Sequence, residues 1–336
     1  MKYTGDALCF DDILLTPGLS DVSSRSKVDL RMDTADIHGG KCLSLNLPVF
    51  AAPMDTVTGF DMVLAMGEAG GMAVLPRTEH QKHVHKQLTT ALKFYYFFYS
   101  VGSGVGMEDL EEIEYFGDSG HRYICVDVAH GGNEQTARKV EIIKDMIPGA
   151  FVMSGNVATP EEFRRLSDAG ADLIRVGIGG GSACTTRIQT GHGVPTLQSL
   201  MDISFMRKAE DAAIIADGGI RNAGDAAKAF AAGARFVMVG GMLAGTSNAP
   251  DVRDESGNRI FRGMASSAFT TNVEGVSHII DDKGDTQDVL RHLKNGLASA
   301  CSYSGVHRLS ELAEAAEYKV VTPQGVRENG AHHNRK

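Results

Sequence analysis

Eight short runs of apolar, β-branched or aromatic residues recur along this chain of 336 residues: "LPVFAAP" (47–53), "MAVLPR" (72–77), "YYFFYSVG" (95–102), "YICVDVA" (123–129), "FVMSGNV" (151–157), "LIRVGI" (173–178), "AIIADGG" (213–219) and "FVMVGGM" (236–242). Their starts lie mostly 20 to 30 residues apart. The segments between them read as amphipathic helices, which is the alternation of parallel βα units. Eight such units within about 200 residues predict an α/β fold of the closed (β/α)8 TIM-barrel type rather than an open doubly wound sheet.

The punctuation supports this reading. In "TPEEFRRLSDAGADLIRV", Thr159 can cap a helix, Pro160 suits its first turn, Glu162 completes a capping box and Gly170 can take a left-handed exit. "GEAGGMAVL" (67–75) and "FAAGARFVMV" (230–239) repeat the Ala-Gly exit into a strand, a signature of stacked αβ units.

One interval breaks the rhythm, because the sixth and seventh runs start 40 residues apart. The extra length holds "VGIGGGSACTTR" (176–187) followed by "IQTGHGVPTLQSL". In a barrel, the loops after the C-terminal ends of strands build the active site, so this enlarged loop is the first candidate. Cys184 becomes a nucleophile there if local N–H dipoles, a cation or a base favour its thiolate; a structural thiol is the alternative. The loops after strands seven and eight, "DGGIRNAGDAAKA" and "VGGMLAG", place glycine pairs (Gly218, Gly219; Gly240, Gly241) where barrels commonly bind phosphate. Asp217 could accept hydrogen bonds from ribose hydroxyls or cap the turn that follows. Beyond strand eight, the polar stretch from 245 to 285 reads as a mobile lid or as a plain surface insertion. Within it Glu274 and His278 are the acid–base candidates that could lie over Cys184, and either could simply be solvated. Asp127, ending strand four, points to the same mouth.

Composition removes other classes. Lys and Arg number 33 against 42 Asp and Glu, a net charge of −9, and no long basic block offers a footprint for nucleic acid or an anionic membrane. The start, "MKYTGDALCFDDILL", carries acidic residues where a signal peptide needs an apolar core, and no run approaches the ~18 apolar residues of a spanning helix, so a cytoplasmic protein is expected. The five cysteines (Cys9, Cys42, Cys125, Cys184, Cys301) are odd in number and form no C-x-x-C pair, against a disulfide framework or structural zinc. Cys125, inside a strand run, reads as a core residue.

Taken together, "CFDDILLTPG", "APMDTVT", "GNVAT", "GIGGGSACTTR", "ADGGIRNAGDAAKAFAAGA", "GGMLAG" and "FRGMAS" resemble the IMP dehydrogenase/GMP reductase family over nearly the whole chain. FMN-dependent barrel oxidases share the "DGGIR" strand end but not "GSACTTR". The resemblance implies that Cys184 attacks C2 of a purine nucleoside monophosphate while a nicotinamide cofactor moves hydride at that carbon. It also implies that Asp217 holds the ribose, that Gly219, Gly240 and Gly241 cradle the phosphate, and that Ser182 and Gly218 belong to the substrate site. Met54, Gly263 and Met264 would line the purine site, and Arg77, Asp127 and His130 would face the cofactor. The carbonyls of Gly179, Gly181 and Cys184 resemble a potassium site, although the family's usual "GIGPGS" reads "GIGGGS" here, with Gly180 in place of proline.

The resemblance also bears on direction. The family's dehydrogenases commonly insert a pair of CBS domains after the second strand. Strands two and three start 23 residues apart here, which leaves no room for them. A dehydrogenase flap brings an Arg-Tyr pair that activates water, whereas residues 267–282 contain neither arginine nor tyrosine. "NVEG" followed by "KGD" resembles the reductase pattern, in which a lid glutamate pairs with the second loop threonine to protonate departing ammonia. In this chain the pair would be Glu274 and Thr186. On the other side, His130 stands where reductases more often show asparagine, and "VTPQGVRENGAHH" is similar to dehydrogenase tails that reach a neighbouring subunit. The implied protein is one catalytic barrel over 1–336, with a lid at about 251–285 and a tail at about 318–336. It would be a cytoplasmic homotetramer that reduces GMP with NADPH. The alternatives are IMP oxidation with NAD, action on a related purine deoxynucleotide, and a purine-nucleotide-binding barrel without turnover.

Overall fold

A computed structural model describes residues 4–34, 42–78, 83–85, 87–88, 97–266, 271 and 273–327. The eight predicted strands are all present: β1 (Val49–Ala51), β2 (Met72–Leu75), β3 (Phe98–Val101), β4 (Tyr123–Asp127), β5 (Phe151–Val157), β6 (Leu173–Val176), β7 (Ala213–Asp217) and β8 (Phe236–Val239). They close in sequence order into a parallel barrel, sealed where Val237 of β8 pairs with Val49 of β1. Five of the eight are buried at every position, as strands packed on both faces must be; β5 is partly exposed only at Asn156, β7 only at its terminal Asp217, and β4 at its two ends, Tyr123 and Asp127.

Helices α1 (Phe60–Glu68), α2 (Met107–Asp118), α3 (Glu134–Met146), α4 (Pro160–Asp168), α5 (Thr196–Met206), α6 (Ala223–Ala231) and α7 (Thr286–Tyr303) wrap the outside. The caps are those the sequence announced. Thr159 Oγ1 accepts from the Glu162 N–H to start α4, and Gly70, Gly170 and Gly233 leave their helices at φ +84°, +96° and +98°.

The barrel interior is blocked at one end. Phe98, Phe151 and Phe236 each open their strand; Phe50 meets Phe98 and Phe236 edge to face at 5.9 and 5.5 Å, and Phe98 lies 6.4 Å from Phe151. Each buried ring contributes on the order of 2–3 kcal/mol of transfer free energy. With that end filled, the strand C-termini form the mouth.

Two features depart from expectation. Part of the lid is not loose, since Ile260–Arg262 pairs antiparallel with Ser277–Ile279; residues 267–270 and 272 lie outside the described residues. The near end of the tail is also a strand: Glu317–Val320 pairs antiparallel with the open edge of Ile13–Thr16 and stays exposed, while residues 328–336 lie outside the described residues. Among the described residues no helix is long and apolar enough to cross a membrane.

Candidate active site

The mouth holds a cleft of about 1860 Å³, lined by the ends of the strands and by the lid. Met54, Arg77, Asp127, Gly179, Gly181, Ser182, Cys184, Thr186, Asp217, Gly218, Gly219, Gly240, Gly241, Gly263, Met264 and Glu274 all border it. His130 does not: its Nε2 lies 2.9 Å from Glu162 Oε1 on the outer surface. Glu162 is fixed there by its own capping duty, with Oε2 accepting from the N–H groups of Ala158 and Thr159. The spacing could not show that the helix cap would claim the histidine.

The glycines before Cys184 are required by close approach more than by freedom to swing. Gly177 sits at φ +144°, and a side chain there would collide with the Asp217 carbonyl. At Gly180 a Cβ would stand 2.5 Å from Thr196 Oγ1. The compact loop presents Cys184 half buried, its N–H bonded to the Gly181 carbonyl at 3.0 Å.

The lid comes to this loop as a strand partner. Cys184 pairs with Gly275, the Thr185 N–H donates to the Glu274 carbonyl at 2.7 Å, and the Val276 N–H donates to the Ala183 carbonyl at 3.0 Å. That register brings the side chains into a line. The Cys184 thiol donates to Thr186 Oγ1 at 3.2 Å, and the Thr186 hydroxyl donates to Glu274 Oε2 at 2.6 Å. Of the two lid candidates, Glu274 therefore meets the thiol's relay, while His278 Nε2 lies 3.1 Å from the Ser182 carbonyl. Two other thiols are poor nucleophiles: burial pushes both Cys125 and Cys301 up to about 12.

The floor contains a residue that the sequence reading did not single out. Arg175, in the middle of β6 and 7% exposed, bridges the carboxylates of Asp127 and Asp217, with Nη2 2.8 Å from Asp217 Oδ2. Burial opposes its charge, but the two carboxylates outweigh burial and hold the guanidinium well above its ordinary value. Asn156 Nδ2 also donates to Asp217 Oδ2 at 2.8 Å. Neither partner caps the turn after β7. A lone arginine in an apolar strand run was the available signal, because buried arginine requires partners; its partners lie 48 and 42 residues away.

The glycine pairs converge beside this floor. A Cβ on Gly218 would approach the Gly181 N at 3.1 Å, and one on Gly241 would approach Ser182 Oγ at 3.3 Å, so the loops after β7 and β8 both abut the cysteine loop. Met54 Sδ lies 3.0 Å from where a Cβ of Gly240 would be. For a potassium ion, Gly179, Gly181 and Cys184 supply three carbonyls, and that of Gly181 already accepts a hydrogen bond. Hard cations gather about six or more oxygens, so this set alone is an incomplete fit.

A model of the IMP dehydrogenase / GMP reductase domain family matches residues 7–332. The chain is 35% identical to GMP reductase 1 of Rattus norvegicus over 335 residues, covering 94% of this chain and 96% of that protein. It is 34% identical to GMP reductase 1 of Homo sapiens over 332 residues (94% and 96%), and 34% identical to GMP reductase of Escherichia coli O81 (strain ED1a) over 336 residues (94% and 95%).

Proposed function

The chain belongs to the IMP dehydrogenase / GMP reductase family, and from that premise we propose that it is a GMP reductase, converting GMP, NADPH and a proton to IMP, ammonia and NADP⁺. The observation that carries the direction is the continuous line Cys184–Thr186–Glu274, at 3.2 and 2.6 Å, joining the nucleophile loop to a lid carboxylate.

As the sulfur–C2 bond forms, the thiol proton passes through the Thr186 hydroxyl to Glu274. The same relay returns a proton to the amine, and the C2–N bond breaks with ammonia leaving. An amine is a poor leaving group without such an acid at neutral pH. The nicotinamide cofactor, when bound, supplies the hydride that C2 accepts, after which the sulfur–C2 bond breaks and the thiolate is restored. Asp217, held in place by Arg175 and Asn156, takes the ribose hydroxyls. Gly218, Gly219, Gly240, Gly241 and Ser182 take the phosphate through N–H groups and a hydroxyl. Met54, Gly263 and Met264 bracket the purine.

The residues on the far side of the cleft fit a dinucleotide. A volume of about 1860 Å³ exceeds the ~300–1,000 Å³ of a site for one small ligand, leaving room for two nucleotides. Asp127 offers a carboxylate to the nicotinamide riboside, and the exposed Arg77 guanidinium at the cleft edge favours the extra phosphate of NADPH. A single catalytic domain, a cytoplasmic setting and a homotetramer belong to the same reading. Exposed Leu14, Leu19, Tyr318 and Val320, around the strand pair formed by the chain's two ends, support self-association.

Absorbance at the reduced-nicotinamide band tests the direction. GMP with NADPH should lose absorbance and release ammonia; turnover of IMP with NAD⁺ instead would reassign the protein to the dehydrogenase reaction.

A further inference from the structure

We infer that the ion pair between Asp55 and Arg262 is a positioning device, one that sets the lid carboxylate Glu274 against Thr186 from the opposite side of the purine site. The inference rests on the role proposed for Glu274.

Asp55 follows β1, and Arg262 ends the first strand of the lid hairpin. The guanidinium grips the carboxylate with two nitrogens, Nε lying 3.0 Å from Oδ2 and Nη2 meeting the same oxygen. Both side chains are mostly buried, at 21% and 13% exposure, which sets this pair apart from the chain's surface pairs. A second bond acts at the same place, from the Arg262 N–H to Thr56 Oγ1 at 3.3 Å.

The hairpin transmits that anchorage. Arg262 pairs with Ser277, and the Gly263 N–H donates to the Val276 carbonyl at 3.2 Å. Val276 in turn donates to Ala183, and Gly275 pairs with Cys184. Glu274 is therefore three residues from a strand position whose partner is locked to the barrel. The Glu274 and Gly275 N–H groups both donate to the Ala265 carbonyl, at 2.9 and 3.0 Å, which closes the hairpin on itself.

Displacing the root of this hairpin moves Glu274 with it. The segments carrying Met54 and Met264 are immediate neighbours of the two latch residues, so the same pair also sets the width of the purine slot. Asp55 and Arg262 touch neither the thiol nor Thr186 by any hydrogen bond among the described residues, which makes them positioning residues and not catalytic ones.

The test uses the full-length enzyme and two readouts. The first is kcat and KM for GMP and NADPH; the second is the pH profile of Cys184 alkylation by iodoacetamide without nucleotide, which needs no turnover. Asp55→Asn should lower kcat about 10- to 100-fold, as small misplacements of an acting group do, with KM for NADPH changed by less than about twofold. Its alkylation profile should move in the same direction as that of Glu274→Gln, and the double variant should move no further. Asp55→Glu, which keeps the carboxylate, should return the profile toward wild type. Should Asp55→Asn fold poorly, Arg262→Lys retains the charge, loses the fork and should show the same profile shift. A wild-type alkylation profile in the latch variants, or a shift that adds to that of Glu274→Gln, overturns the inference. GMP turnover by Glu274→Gln, measured alongside, judges the proposed reaction separately.

Discussion

The floor and the roof of the cleft both use carboxylates, and they hold them by opposite means. Asp127 and Asp217 are locked by Arg175 within the barrel, each on a strand end whose place is fixed by its neighbours' register. Glu274 hangs on a short hairpin, brought to Thr186 by a few backbone bonds and by the Asp55–Arg262 pair. Loss of any member of the buried ionic floor should cost stability. In the function proposed above, that floor would offer fixed polar groups to two sugars and the hydrogen-bonded roof would carry the proton. The contrast would then leave binding to the barrel and proton chemistry to the lid.

The largest expected effect sharpens the difference at the loop itself. Cys184→Ala should remove all measurable turnover while leaving thermal unfolding nearly unchanged, because the thiol is only half buried and makes one weak hydrogen bond. A folded, active Cys184→Ala protein would break the assignment of the chemistry to this loop.

On the floor, Arg175→Met should leave two carboxylates facing each other without their cation. Loss of one member of a buried ion network costs about 3–5 kcal/mol, read as a fall in the urea midpoint. The same substitution should weaken nucleotide binding more than it slows the bound complex. A destabilisation below ~1 kcal/mol would show that the floor is not held electrostatically.

A smaller effect belongs to the glycine loop. Gly180→Ala should cost about 1–3 kcal/mol, because the new methyl meets Thr196 Oγ1 at 2.5 Å. Thr196→Ala should relieve most of that penalty in a double-mutant cycle. Additive penalties would mean that the loop's compactness has another origin.

Acid acts on the barrel wall. His85 and His121 sit in an aromatic cluster with Phe97 and Phe116. Burial pushes His85 down to about 4, and burial with the neighbouring His85 pushes His121 down to about 3. Both folded values lie below the ordinary 6.5, so the unfolded chain takes up protons that the folded one refuses. Stability should therefore fall as pH drops from about 6.5 toward 4, by up to about 1.4 kcal/mol per unit per ring. Urea midpoints across that window should show the slope, and His121→Phe should reduce it.

The barrel was legible because its signals are local. Strand periodicity, the Thr159 cap and the Ala-Gly exits depend on residues within one turn or strand of each other, and each is present as read. Cys184 and Glu274 were legible as candidates because glycine-rich and acidic motifs surround them. What escaped is what depends on distant partners. Arg175 looked like one charge in a strand run, and its meaning lies in aspartates at the ends of β4 and β7. Arg262 could be matched with Asp55 only once β1 and the lid were in place, 207 residues apart in sequence. The Glu162 partner of His130 was hidden for the same reason, because it lies 32 residues later on a helix cap. The choice between Glu274 and His278 needed the antiparallel register between the lid and the cysteine loop.

The central claim is that Glu274, acting through Thr186, supplies the proton that releases ammonia from the Cys184 adduct. Single-turnover ammonia release from GMP with NADPH, compared between wild type and Glu274→Gln, tests it most directly. The expected result is one ammonia per active site for wild type and a release rate lower by about 10²–10⁴ for the variant, with GMP still bound and the fold intact. Release at the wild-type rate from Glu274→Gln would contradict the account.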